Sequence, residues 1–154
     1  MPVDDAEFKA AMSHFASGVT IVTTEHDGKP FGMTVASFAS LSLHPPLILI
    51  CIEKAVKTHD AIAAAGKFGV SILKNDQAGI STRFASKSDD KFSGVTVVKG
   101  DVPLIDGALT TLECNVAHQL PGGDHTIFVG EVVAVTTSEG APLVYYRSGY
   151  RNIT

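Results

Sequence analysis

The chain has 154 residues, 45% of them hydrophobic and 18% charged, with a formal net charge of -4 at neutral pH. That length indicates a single domain, residues 1–154, with a real core, since a chain of this size buries roughly 68 to 70% of its unfolded surface. The mild acidity carries no polyanion-binding signature, so no nucleic-acid partner is expected. Apolar runs such as Leu47 to Ile52 fall far short of the roughly 20 residues a membrane helix needs, so no membrane partner is expected either.

Phe8, Ala11, Met12 and Phe15 recur at helical spacing behind Asp4 and Asp5, with Glu7 in the first turn and Gly18 as a stop, which predicts an amphipathic first helix. This acidic start does not read as a signal peptide, and the expected location is the cytoplasm. Val19 to Thr24 is β-branched throughout and predicts a strand. His26-Asp27-Gly28-Lys29 supplies an Asp-Gly hairpin turn into a second strand around Phe31 to Val35. From Gly32 to Pro46, Thr34, Ser37, Ser40 and Ser42 are threaded through apolar residues with no long charged side chain. Hydroxyls held inside a fold need hydrogen-bond partners. Neighbouring backbone in two half-buried strands would supply them, and so would a bound ligand rich in oxygens and ring nitrogens; taken alone, the segment favours the strands.

Leu47 to Ile52 predicts a strand buried on both faces. Thr58 caps a helix through Ala61, Ile62 and Ala65 that Gly66 ends. Phe68 to Leu73 is another strand, Asn75 or Asp76 caps a helix toward Phe84, and Ser86 to Asp90 forms a polar connection able to cover a site. Leu112, Cys114, Val116 and Leu120 alternate with Glu113, Asn115 and Gln119. Ile127, Val129, Val133 and Val135 alternate after the Pro121-Gly122-Gly123-Asp124 turn, so a long antiparallel hairpin is expected. Ser138 to Pro142 turns the chain into a last strand, Leu143 to Tyr146. Strands outnumber helices, and the expected class is mainly β with short α-helices, an antiparallel barrel with helices packed outside.

Several chemistries lack their signals. There is no Gly-x-Gly-x-x-Gly after a strand and no phosphate-cradling P-loop. The six histidines show no HxxxH and no familiar ligand spacing, so no metal is expected. No Gly-x-Ser-x-Gly elbow occurs. The two cysteines, Cys51 and Cys114, have no CxxC spacing and read as buried thiols.

Ser17-Gly-Val-Thr-Ile-Val-Thr-Thr24, the Asp27-Gly28-Lys29 turn, Gly32 to Pro46, Arg83-Phe84-Ala85, Gly123-Asp124-His125 and Tyr145-Tyr-Arg-Ser-Gly149 occur in that order. Together they resemble the flavin reductase family, the small NAD(P)H:flavin oxidoreductases that feed reduced flavin to separate monooxygenase components. The resemblance runs from about Phe8 to Tyr150. It implies a split β-barrel FMN-binding fold, Greek-key-like in its antiparallel order, usually a homodimer with flavin near the interface. It also implies FAD or FMN as flavin and NADH or NADPH as reductant, with hydride passing from nicotinamide C4 to flavin N5. The cofactors then carry the reactivity and no catalytic side chain is expected.

The resemblance also distributes roles. Thr34, Ala36, Ser37 and Ser40 would line the flavin, and Cys51, Ile52, Lys57 and Thr58 would border it, with the helix start and Lys57 serving phosphate. Arg83 would meet phosphate, Phe84 and Ala85 would pack on the cofactor, and Lys91 would lie nearby. His125 would lie beside the nicotinamide, with Tyr146, Arg147 and Gly149 helping to hold the dinucleotide; Ser148 stands where the family often has glycine. Read without the resemblance, Thr58 is a helix cap, Lys57 and Lys91 are surface charges, Phe84 is the core side of a helix with Arg83 its exposed neighbour, and His125 is a partly exposed strand residue. Two other readings stay open at this point: a split-barrel oxidase of the pyridoxamine phosphate oxidase type, and a flavin-binding module without turnover.

Overall fold

The computed structural model describes residues 3–153. Helix α1 (Asp5–Met12) begins where Asp4 accepts a hydrogen bond from the Glu7 N–H at 2.8 Å, the capping interaction that the acidic start predicts. The helix ends at Met12 rather than continuing toward Gly18, and Phe8, Met12 and Phe15 are exposed at 55%, 55% and 82%. Among the described residues its apolar stripe therefore stays largely uncovered.

The strands follow as β1 (Ser17–Gly18), β2 (Thr20–His26), β3 (Lys29–Val35), β4 (Phe38–Ser42) and β5 (Leu47–Glu53), then α2 (Lys57–Ala65), β6 (Lys67–Ile72) and α3 (Ala78–Ala85). The remainder is β7 (Val97–Lys99), β8 (Pro103–Ile105), β9 (Thr110–Gly122), β10 (His125–Thr137), β11 (Val144–Tyr146) and β12 (Gly149–Arg151). Asp27 and Gly28 join β2 to β3 with φ of 53° and 75°, the left-handed pair that a two-residue hairpin matched to strand twist requires. The long β9–β10 hairpin lies where alternation predicted it.

One antiparallel sheet of seven strands runs β3-β2-β6-β9-β10-β5-β4. Its two edge strands are consecutive in sequence, joined only by Ala36 and Ser37. The sheet must therefore curl until its edges nearly meet, although no ladder joins β3 to β4. The Cys51 N–H donates to the Ser37 carbonyl at 3.1 Å and fixes that corner. This is a mainly β, antiparallel architecture of the expected class.

The curl has two apolar faces. Val22, Ile48, Ile50, Ile52, Phe68, Val70, Cys114 and Phe128 fill its interior, and Ile62 of α2 packs among them. Val19, Ile21, Leu73, Phe84, Ile105 and Leu143 form a second cluster on the other side. Ile21 and Val22 are neighbours on β2 and point to opposite faces, so that strand is buried on both. Strand β5 is not: Ile48, Ile50 and Ile52 are buried while Leu47, Leu49 and Cys51 are half-buried. Its other face is covered only partly within one chain, so Cys51 is less buried than expected and only Cys114 is fully enclosed.

Both interior helix starts differ from the sequence reading. The cap residue of α2 is Val56, in extended conformation, with no side-chain capping bond. Thr58 lies inside the first turn and is 5% exposed. The α3 start shifts to Gln77 because a local turn consumes the residues before it: the Lys74 N–H donates to Gln77 Oε1 at 2.8 Å and the Gln77 N–H to the Lys74 carbonyl at 3.0 Å. Asn75 and Asp76 are left exposed in that turn.

Candidate active site

A cleft of about 750 Å³ opens between β3, the start of α2 and the segment after α3, within the size range of small-molecule sites. Thr34, Lys57, Thr58, Phe84, Ala85 and Lys91 all line it. These six residues come from three separate stretches of sequence. Ser86 to Asp89, in the connection predicted to cover a site, and Phe92 complete the wall.

The local charge is opposite in sign to that of the chain. Lys29, Lys57, Lys87 and Lys91 face Glu53 and Asp89, a net +2 around the cleft on a molecule of net -4. The start of α2, with no side-chain cap, adds the positive end of a helix dipole. Lys91 donates from Nζ to the Gly32 carbonyl at 3.0 Å. Burial lowers its pKa, and the charge of Asp89 opposes that shift. Phe84 and Phe92 meet edge to face at 5.0 Å. A low-dielectric aromatic wall beside several cations and a bare helix start suits a planar ligand bearing phosphate.

Gly32 allows this wall to exist. A Cβ there would stand 2.9 Å from Phe84 Cε2, closer than real Cβ atoms approach, and 3.1 Å from Phe92 Cζ, so that the second ring would also have to give way. Sequence reading singled out neither Phe92 nor Gly32 for this contact, because it depends on how α3 and the following loop settle on β3.

Arg83 is placed differently from a free phosphate hook. Its Nε donates to the Lys91 carbonyl at 2.6 Å and Nη2 to the Asp90 carbonyl at 2.9 Å and to the Ser93 carbonyl. The guanidinium thus ties down the loop that carries Lys91.

The remaining expected residues lie outside the cleft lining. Ile52 is completely buried in the core. Cys51 sits on the opposite, half-covered face of β5, and burial raises its thiol pKa. Ala36, Ser37 and Ser40 are exposed at the corner where the sheet edges approach. His125 opens β10, half-exposed, directly across the ladder from Glu53 of the cleft rim. Its Nδ1 bonds to Asp124 Oδ1 at 2.7 Å, and that hydrogen bond, followed by the imidazole's charge, holds the Asp124 carboxyl below its ordinary range.

Tyr146, Arg147 and Gly149 belong to a separate three-stranded sheet, β1-β11-β12. Arg147 and Ser148 form its two-residue turn with φ of 49° and 61°, so Ser148 adopts the left-handed conformation that glycine would take freely. This sheet reaches the cleft through a relay that the sequence did not reveal. Tyr150 Oη bonds Ser81 Oγ at 2.7 Å, and the Ser81 carbonyl accepts from Thr34 Oγ1 at 2.5 Å. Among the described residues no cluster of three or more His, Cys, Asp or Glu is arranged to hold a metal ion, and no helix is long and apolar enough to cross a membrane.

The curled antiparallel sheet carries a cationic, aromatic-walled cleft whose chemistry suits a phosphorylated ring compound. Comparison with known proteins makes the class specific. Residues 12–154 match the flavin reductase like domain family. The reductase component of 4-nitrophenol 4-monooxygenase/4-nitrocatechol 2-monooxygenase from Rhodococcus opacus is 45% identical over 150 residues, which is 97% of this chain and 81% of that protein. An NADH-dependent flavin reductase from a Rhodococcus species is 40% identical over 98% of this chain and 88% of its own length. Among solved structures, the NADH:FAD oxidoreductase of Streptomyces globisporus in complex with NAD and FAD fragments superposes with a TM-score of 0.94 at 37% identity, covering 98% of this chain and 93% of that one. The chain belongs to the flavin reductase family.

Proposed function

We propose that this chain reduces FAD or FMN at the expense of NADH and passes the reduced flavin to a separate monooxygenase component acting on an aromatic substrate. The observation that carries the reading is the convergence of Thr34, Lys57, Thr58, Phe84, Ala85 and Lys91 on one cationic cleft. NADH, rather than NADPH, is favoured by the reductant named for a relative 40% identical to this chain.

The bound flavin supplies the hydride-accepting ring, and the chain's own residues bind and orient. Lys57, Lys91 and the first turn of α2 attract phosphate. Phe84 and Phe92 wall one side and give a ring an apolar surface to pack against. Ala36, Ser37 and Ser40 offer small side chains and backbone at the sheet corner, where the Cys51 N–H holds the Ser37 carbonyl and Ile52 anchors the strand in the core. Arg83 keeps the loop bearing Lys91 in place. His125, its Nδ1 engaged by Asp124, has Nε2 left to face a nicotinamide, and the Tyr146–Gly149 turn helps to hold the dinucleotide.

Exposure of Ala36, Ser37, Ser40, Leu41 and Leu43 in a single chain supports a homodimer in which a second copy covers this corner, and the reaction is assigned to the cytoplasm. Stopped-flow reduction with each flavin and each nucleotide, on protein of known flavin content, tests the reading. Rapid NADH-dependent bleaching of added FAD or FMN is expected. A flavin that binds yet is not reduced by either nucleotide would refute it.

A further inference from the structure

One carboxylate in the cleft opposes the attraction of phosphate. Asp89 Oδ1 accepts from Lys57 Nζ at 3.3 Å, so it occupies a cation at the α2 start. The backbone on either side of Asp89 is held. The Ser88 N–H donates to Ser86 Oγ at 3.4 Å and the Asp90 N–H to Ser88 Oγ at 3.0 Å, while Arg83 grips the carbonyls of Asp90, Lys91 and Ser93. Asp89 is thereby presented to Lys57 by a hydrogen-bonded strap.

We propose that Asp89 is an internal counter-ion that competes with ligand phosphate for Lys57 and so sets how strongly the cleft selects phosphorylated flavins over riboflavin. The proposal rests on the cleft being the phosphate end of the flavin site. A carboxylate and a phosphate cannot share Lys57 without bringing like charges together, so an incoming phosphate must displace Asp89. Riboflavin, which has no phosphate, leaves the pair intact. Both side chains are well exposed, 74% for Lys57 and 82% for Asp89, and an ion pair so exposed is weak enough to be displaced. Asp89 therefore biases selection and does not block it. The same charge reaches Lys91, where it favours the protonated amine.

The test is flavin fluorescence titration of the full chain with FMN and with riboflavin, at low and high salt, for wild type, D89N, D89S, K57Q and D89N/K57Q. The quantity read is the ratio of the riboflavin Kd to the FMN Kd. Both Asp89 substitutions should raise it by about three- to tenfold at low salt, and the gain should shrink at high salt as charges are screened. K57Q should lower the ratio, and the double variant should show no gain over K57Q. If K57Q lowers the ratio but neither Asp89 variant raises it, the counter-ion is refuted while the phosphate site stands. If neither Lys57 nor Asp89 moves the ratio, the phosphate assignment fails and the proposal falls with it.

Discussion

Replacing Gly32 with alanine should damage stability and site together, because the added methyl would enter space held by two rings. Its Cβ would stand 2.9 Å from Phe84 Cε2, 3.1 Å from Phe84 Cδ2 and 3.1 Å from Phe92 Cζ. Phe84 is fully buried and has no free direction in which to move. Phe92 is half-buried and can tilt, but only by giving up its edge contact with Phe84. Overpacking of this kind costs about 1 to 3 kcal/mol, and the immobile nearest neighbour argues for the upper half of that range. In a domain of this size each kcal/mol lowers Tm by about 2 to 4 °C, so a loss of roughly 4 to 12 °C is expected. The Gly32 carbonyl also receives Lys91 Nζ, so a shifted β3 should weaken FMN binding as well. Thermal and urea unfolding followed by circular dichroism would measure the first effect, and flavin titration the second. Adding Phe92→Leu to Gly32→Ala should recover part of the loss, a coupling of about 0.5 to 3 kcal/mol in a double-mutant cycle. A Gly32→Ala chain whose stability lies within about 0.5 kcal/mol of wild type, with unchanged flavin affinity, would show that the rings do not close on this strand as described.

Replacing His125 with alanine should slow NADH-dependent reduction by roughly tenfold or more while changing flavin affinity far less, since misplacing one reactant is enough to lose rate; equal loss of both would remove His125 from the nicotinamide side. Ser148→Gly should stabilise the fold by about 0.5 to 1 kcal/mol, because it relieves a left-handed serine at the cost of a more flexible unfolded chain, and an unchanged or lowered urea midpoint would contradict the turn geometry. Burial, with a smaller contribution from the Glu113 charge, pushes the Cys114 thiol from its ordinary 9.0 up to about 12. The folded state therefore keeps a proton that the unfolded chain releases, so stability should fall as pH rises from about 9 toward 12. That contribution should be missing in Cys114→Ala, and a wild-type slope no steeper than the variant's would refute the linkage.

The parts of the fold legible in sequence were those governed by two-residue alternation or by a turn with strict backbone demands. The β9–β10 hairpin announces itself through alternation on both sides of its turn, although the β10 face read as apolar is the wrong one for the interior: Phe128 fills the core, while Val133 and Val135, like Leu120 on β9, are exposed. Asp27-Gly28 announces itself because few residue pairs tolerate two positive φ angles. Helix starts were less legible. Thr58 has the chemistry of a cap, but the chain is still extended at Val56 and the cap position falls there, leaving Thr58 to line the cleft. Phe8 and Met12 have the spacing of a buried face, but among the described residues each is left more than half exposed. Among the site residues, no periodicity connects Thr34 with Lys57 and Lys91; the family resemblance joined them. Asp89, Phe92, Ser81 and Tyr150 escaped notice because a single exposed carboxylate, aromatic or hydroxyl carries no signal until the fold supplies its neighbour.

The hydroxyls between Gly32 and Pro46 show how far composition and structure diverge at one residue. Thr34 lines the cleft, yet its only hydroxyl proton is directed at the Ser81 carbonyl. A threonine hydroxyl has one proton to donate and two lone pairs, so Thr34 can offer a ligand its lone pairs and its backbone but no side-chain hydrogen. The segment's donors toward a flavin must then come from peptide N–H groups and from the exposed Ser37 and Ser40. The Thr34 bond instead ties β3 to α3, and through Ser81 to Tyr150 it ties the cleft wall to the hairpin that carries Arg147 and Gly149. Thr34 of the expected flavin side and the hairpin of the expected dinucleotide side are thus anchored on the same helix. A change at Ser81 would disturb both without touching either ligand.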